Sequence, residues 1–317
     1  MNVGARPLVP SRLAPGGVVG HGTRSRAPRT KVGAYIALTK PRIIELLLVT
    51  TLPTMVVAQR GMPSLRLMAL TLLGGTLSAG GANAVNMVVD RDIDRLMPRT
   101  QSRPLVTGQL TPRAALVFAL LLEAAAFVLL ATTVNLLSAV LALGAMMFYV
   151  FVYTMWLKRT STQNIVIGGA AGAVPVLVGW AAVTNSLALA PIVLFAAMFF
   201  WTPPHFWALA IRYADDYRAA GVPMLPAVAP LDVVSRKMLA YTLALVICTL
   251  VFWPVAHLGP IYGVSAIVLG AMFVWGGIDL VSNPTSKKSM RLFGFSISYV
   301  TLLFLGMAVD TLVRHGW

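Results

Sequence analysis

Nine apolar runs, each close to the length of a membrane crossing, dominate this chain. A helix needs about 20 apolar residues to cross a hydrocarbon core. Such runs lie near residues 43–59, 67–89, 114–134, 136–157, 164–183, 187–211, 238–256, 261–281 and 292–312, with Pro, Gly, Asn and Ser in the links between them. Lipid offers the backbone no hydrogen-bond partner, so segments of this kind fold as helices. The expected class is an all-α membrane protein with about nine transmembrane helices. Composition agrees: hydrophobic residues make up 58% of the chain and charged ones 11%, against about 25% charged in a soluble domain.

The charge balance first suggests nucleic acid, with 25 Lys+Arg against 10 Asp+Glu. The placement of the charges argues otherwise, because the basic residues sit in short loops between apolar runs. With nine spans, the N-terminus and loops two, four, six and eight share one side. That side holds 22 of the Lys and Arg residues, and the other side holds only Arg60, Arg66 and Arg314. The positive-inside rule then places the N-terminus in the cytoplasm and the C-terminus outside. Residues 1–40 contain no acid and lack the apolar core of a signal peptide. Residues 1–35 are expected to be a disordered basic tail, with a transit peptide as the alternative, and residues 36–317 the membrane domain. Cys248 stands alone in an apolar stretch, which excludes a disulfide framework or a cysteine metal site.

Two cytoplasmic loops are long, roughly 90–113 and 212–237. The first opens Asn86-Met-Val-Val-Asp90-Arg-Asp-Ile-Asp94. At 3.6 residues per turn, Asn86, Asp90 and Asp94 share one helix face and Asp92 points elsewhere. Carboxylates at a membrane edge are costly unless compensated. One compensation is Mg²⁺, which takes one or two carboxylates together with substrate phosphate oxygens. The plain alternative is a solvated helix end with Asp–Arg pairs through Arg91 and Arg95. Arg95, Arg99 and Arg103 follow the acids, and Lys158 and Arg159 follow the fourth run. Such cations suit a diphosphate, although basic loops also serve topology alone.

The sixth run ends Thr202-Pro203-Pro204-His205-Phe206-Trp207, followed by Arg212, Asp215, Asp216 and Tyr217. The Pro pair predicts a break or kink in the helix. His205 is the one histidine flanked by polar chemistry inside a span. It is a candidate haem-iron ligand, a polar catalytic group or a structural histidine.

These residues resemble the UbiA-type membrane prenyltransferases, whose first signature is Asn-x3-Asp-x3-Asp. The resemblance is closest to the haem-farnesylating branch. It rests on Asn86-x3-Asp90-x3-Asp94-x2-Met97-x-Arg99-Thr100-x2-Arg103-Pro104-Leu105 and on Pro204-His205-Phe206-Trp207-Ala208-Leu209. Asp216-Tyr217-x3-Gly221-x-Pro223-Met224-Leu225-Pro226, Lys40-Pro41-Arg42 and Asn164-x3-Gly168-Gly169 extend it over roughly residues 36–312. It implies nine helices around a central cavity capped by the two acidic loops. It also implies a reaction: farnesyl diphosphate, protohaem IX (haem b) and water give haem o and diphosphate. One departure is Arg212-x3-Asp216, where most of the superfamily has a second Asp-x3-Asp.

The implied site holds Mg²⁺ on Asn86, Asp90 and Asp94, supported by Asp216. Arg99, Arg103 and Lys158 take residual charge, Arg212 holds diphosphate or a haem propionate, and His205 is counted among the catalytic residues. Lys158, Arg159, Arg95, Trp207 and Tyr217 are candidate substrate-binding residues. The implied setting is the bacterial plasma membrane or, alternatively, the mitochondrial inner membrane. Haem a synthase or terminal oxidase assembly factors are the implied protein partners, and nucleic acid is not among the partners. A transporter is the competing class, since Pro-broken helices with intramembrane charge also mark carriers. A quinone-ring or chlorophyll prenyltransferase is the nearer alternative.

Overall fold

A computed structural model describes residues 30–316, with side chains described for all of these but residues 42–48. The helices are α1 (Lys31–Thr39), α2 (Pro41–Gln59), α3 (Leu65–Val89), α4 (Arg91–Leu96), α5 (Pro112–Thr133) and α6 (Leu136–Met147). A π-helical segment, Phe148–Leu157, continues α6 into α7 (Lys158–Thr160). Then come α8 (Asn164–Thr184), α9 (Leu189–Arg212), α10 (Ala214–Ala219), α11 (Leu225–Val228), α12 (Leu231–Val255), α13 (Pro260–Ser282) and α14 (Ser286–His315).

Eight rods among the described residues are long and apolar enough to cross a membrane: α3, α5, Leu136–Thr160, α8, α9, α12, α13 and α14. With α2 they make the nine expected from the apolar runs. Their outward faces carry exposed aliphatic side chains such as Leu120, Leu121 and Val128 on α5 and Ile267 and Val268 on α13. Surface of this kind is stable only against lipid, so the chain is a multi-pass membrane protein. In chain order each rod packs on the next, and α14 packs on α2, so the rods close into a ring. Successive rods alternate in direction. The C-terminal ends of α3, α7 and α9 therefore meet at one end of the bundle, and those of α2, α12 and α14 at the other.

Close approach between rods uses small residues, as membrane helix interfaces do. A Cβ on Gly168 of α8 would lie 2.3 Å from Tyr153, and one on Gly169 would lie 2.8 Å from Thr202 on α9. The Asn164-x3-Gly168-Gly169 motif is thus the seam that draws α8 against the π segment and α9. The largest core cluster lies across α8, α9, α12, α13 and α14 and contains Trp207, Phe252, Tyr262, Phe273 and Tyr299.

Three expectations are corrected. The tail does not extend to residue 35: α1 begins at Lys31, where Thr30 Oγ1 accepts from Gly33 N at 3.1 Å. Residues 1–29 lie outside the described residues. The Pro203–Pro204 pair does not break the sixth rod, because α9 runs through it from Leu189 to Arg212. Thr202 Oγ1 donates to Met198 O at 3.0 Å just before the pair, and buried packing on both sides holds the segment. Membrane helices tolerate proline more readily than soluble ones where neighbouring helices pack around it. Finally, α12 and α14 begin before their apolar runs, at Leu231 and Ser286. Thr285 caps α14 by accepting from Lys288 N at 3.3 Å, so the charged first turns of α14 remain helical.

Candidate active site

The Asn-x3-Asp-x3-Asp column survives a bend in the chain. α3 ends at Val89 and Asp90 adopts φ −84°, ψ 4°, after which α4 begins. Backbone bonds Asp90 N→Asn86 O (2.9 Å) and Asp94 N→Asp90 O (2.8 Å) keep the four-residue spacing across the junction. Asn86, Asp90 and Asp94 are buried at 3%, 0% and 3% exposure, while Asp92 is exposed. This is the division that the helical face predicts.

Cations surround the column, from the same loop and from distant segments. Lys158 Nζ donates to Asp90 Oδ2, and Arg159 lies 3.8 Å from Asp90 Oδ1. Arg103 Nη1 donates to Asp94 Oδ2 at 2.6 Å. Lys40 Nζ donates to Asn86 Oδ1 at 2.9 Å, and Asn86 Nδ2 donates to Asp90 Oδ2 at 2.8 Å. Arg159 also grips Asp92 through two 2.8 Å bonds. Those bonds hold the Asp92 carboxyl well below the usual carboxylate range. Burial, with Arg103 and Lys158 close by, pushes the Lys40 ammonium down to about 7. Among the described residues no ion pair joins Arg91 or Arg95 to these acids, and both arginines are exposed.

The π segment sets this geometry. Its wider turn lets Thr154 Oγ1 donate to Tyr149 O at 2.9 Å while accepting from Asn86 Nδ2 at 3.2 Å. π turns inside α-helices mark functional sites more often than chance. Here the turn delivers Lys158 to Asp90.

The fit to Mg²⁺ rests on the donors. Among the described residues no group of three or more His, Cys, Asp or Glu could hold a metal alone. Mg²⁺ does not require one, because it takes few carboxylates and fills its octahedron with water and phosphate oxygens. Asp90 Oδ1 is buried without a hydrogen-bond partner, an open acceptor within the column. Three carboxylates face four cations here, which suits an anionic substrate that brings its own cation.

The second acidic loop closes over the first. Val222 packs with Ile93 and Met97, and Tyr217 and Ala220 join them. Arg99 Nη2 donates to Tyr217 OH at 3.0 Å, and its guanidinium lies 5.5 Å from the ring centres of both Tyr213 and Tyr217. Gly221, at φ +66°, makes the turn that brings Val222 into place. Arg212 is exposed and Asp216 half-buried, and neither has a side-chain partner among the described residues.

His205 sits apart from the acids, between α9 and α14. Its ring is stacked between Trp201 (4.2 Å) and Phe293 (4.7 Å). Nδ1 lies 2.7 Å from Ser296 Oγ, which itself donates to Phe293 O at 2.6 Å. Ser296 therefore accepts from Nδ1–H, and the lone pair on Nε2 stays free. Trp207 is fully buried in the core, edge-on to Tyr241, with its indole N–H unpartnered. Sequence reasoning did not single out Thr154, Tyr213 or Ser296, and it quoted Lys40 and Asn164 only within motifs. Asn164 is fully buried with both amide atoms unpartnered.

The profile described as the UbiA prenyltransferase family matches residues 47–303. A Streptomyces coelicolor relative named protoheme IX farnesyltransferase is 50% identical over 95% of this chain and 98% of its own length. A Frankia alni relative of the same name is 53% identical over 89% and 99%. Among solved structures, a UbiA homologue from Aeropyrum pernix superposes with TM-score 0.68 at 23% identity over 84% of this chain and 98% of its own. One from Archaeoglobus fulgidus, solved with GPP and Mg²⁺, gives 0.58 at 18% over 86% and 99%. The ring of membrane helices, the buried Asn-x3-Asp-x3-Asp column and these identities place the chain in the UbiA prenyltransferase family, alongside relatives named protoheme IX farnesyltransferase.

Proposed function

We propose that this protein transfers the farnesyl group of farnesyl diphosphate to a vinyl group of protohaem IX. Addition of water then gives haem o, and diphosphate leaves. The observation that carries this reading is the buried Asn86–Asp90–Asp94 column ringed by Lys40, Arg103, Lys158 and Arg159. Its occurrence in a chain half-identical to farnesyltransferases of protoheme IX assigns the substrates.

An allylic diphosphate ionises once the charge growing on its leaving group is neutralised, and preformed charges in a dry site do this best. Asn86, Asp90 and Asp94 would hold Mg²⁺, which supplies Lewis-acid stabilisation of that leaving group. Lys158 and Arg103 already point at the column and exchange their carboxylate partners for phosphate oxygens, and Lys40 exchanges Asn86 Oδ1 in the same way. Arg99, Arg159 and Arg95 add charge at the rim. Arg212, Asp216 and Tyr217 belong to the lid formed by the second loop. The vinyl group of haem attacks the allylic cation, so no covalent enzyme nucleophile is required. His205 ligates the haem iron through its free Nε2. Trp207 supports the His205 helix from the core.

Diphosphate release by purified protein tests this reading. Release should need farnesyl diphosphate, protohaem IX and Mg²⁺ together. Equal release without protohaem would contradict it.

The membrane in question is the bacterial plasma membrane, with the acidic loops in the cytoplasm. A reporter fused after Trp317 should therefore read out on the outer side, and one inserted between Lys287 and Arg291 in the cytoplasm. The same side for both would refute the nine-span orientation.

A further inference from the structure

At the end of the bundle opposite the acidic loops lies a cavity of about 370 Å³, within the size range of small-ligand sites. Segments remote in sequence build it: the end of α2, the α12–α13 link and the last turn of α14. Its polar lining is Arg60, His257, Arg314, His315, Asp310 and Thr311.

Two features set this lining apart. The first is charge. With nine spans, the sequence leaves only three Lys or Arg residues on this side of the membrane, and two of them line this one cavity. The single carboxylate does not neutralise them. Asp310 is 1% exposed and accepts from Gly259 N (2.5 Å), Ile261 N (3.1 Å) and Tyr262 N (3.3 Å), capping the start of α13. Arg314 donates through Nη1 to His257 O, which leaves the rest of its five-donor fork available. Arg60 and the His257 ring have no side-chain partner among the described residues.

The second feature is backbone. Four non-glycine residues among the described ones have positive φ: Lys40, Arg60, Asn185 and His257. Glycine holds this conformation without steric cost, and asparagine tolerates it. Lys40 carries a cation to the Asn86–Asp90 column. Arg60 (φ 54°) and His257 (φ 53°) follow the ends of α2 and α12, where glycine is the favoured residue. Their side chains are kept at positions that penalise having one, and both face the same cavity.

We propose that this cavity binds the phosphate group of an anionic membrane lipid. Cations converge on a space of that size at the mouth of the bundle, where headgroups lie. Val57, Ala256 and Leu258 provide an apolar wall beside them for the glycerol and the first acyl carbons. A free phosphate shares the headgroup chemistry but makes no use of that wall.

The test is thermal unfolding of the whole detergent-solubilised protein, titrated separately with phosphatidylglycerol and with inorganic phosphate. Saturating phosphatidylglycerol should raise the Tm by roughly 4 °C or more, and inorganic phosphate should have little effect. The rise should vanish in an Arg60→Gln/Arg314→Gln double variant. If that variant does not fold, Arg60→Gln and His257→Asn singly should each reduce the rise. Stabilisation by lipid that is equal in parent and variants would overturn the proposal. So would a lowered Tm without lipid dependence, since the cations would then only offset helix C-terminal dipoles. Stabilisation by inorganic phosphate equal to that by lipid would overturn the lipid assignment.

Discussion

Asp90→Ala lowers turnover by about a thousandfold or more, the scale of removing a principal charge-stabilising group, while the protein stays folded in the membrane. Asp90 is fully buried, and three groups converge on it: Lys158, Arg159 and Asn86. Its Oδ1 is the open acceptor of the column. Removing it leaves Lys158, only 14% exposed, without its carboxylate. A drop in Tm accompanies the loss of turnover, since breaking a buried pair exposes the desolvation cost of the partner left behind. Asp92→Ala is the contrast. Its carboxylate is 61% exposed and meets only Arg159, so the loss should be no more than a few-fold. Steady-state rates on the two variants, with Tm measured alongside, check this. Equal losses would mean that the one-face argument is wrong.

His205→Ala shifts the absorption spectrum of bound haem and weakens haem binding about tenfold or more, the range seen when a metal site loses support. The geometry suits the proposed ligand role. Ser296 takes the Nδ1 proton, Trp201 and Phe293 clamp the ring, and Nε2 is left free. A base or propionate-binding role predicts normal haem spectra with lost turnover. A structural role predicts a lowered Tm with activity retained. An unchanged haem spectrum in well-folded His205→Ala protein would remove ligation outright.

What was legible in the sequence divides along a physical line. The rods were legible because lipid imposes a length and a composition on each of them. The Asn86–Asp90–Asp94 face was legible because its period is local and α4 keeps the register after the bend. Lys158, Arg103 and His205 were legible as candidates, but their partners were not, because most of these pairings join segments far apart in the chain. Lys158 meets Asp90 across 68 positions and His205 meets Ser296 across 91. Thr154 was hidden for another reason: an α-helical register does not anticipate a π turn, and only the π turn gives Thr154 its bond to Tyr149 O. The Pro203–Pro204 pair misled because local propensity does not count the packing that carries α9 through it. Arg91 and Arg95 were plausible partners by proximity, yet Asp94 pairs with Arg103 further along the same loop and Asp90 with Lys158 from another segment.

The central claim is that the acidic column activates farnesyl diphosphate for transfer to haem. Mass analysis of the haem after incubating purified protein with protohaem IX, farnesyl diphosphate and Mg²⁺ tests it most directly. The expected product is a haem that has gained one farnesyl group and one hydroxyl, formed by the parent and absent with Asp90→Ala. Unmodified haem alongside a prenylated quinone-ring or chlorophyll-type acceptor supplied in the same mixture would contradict it.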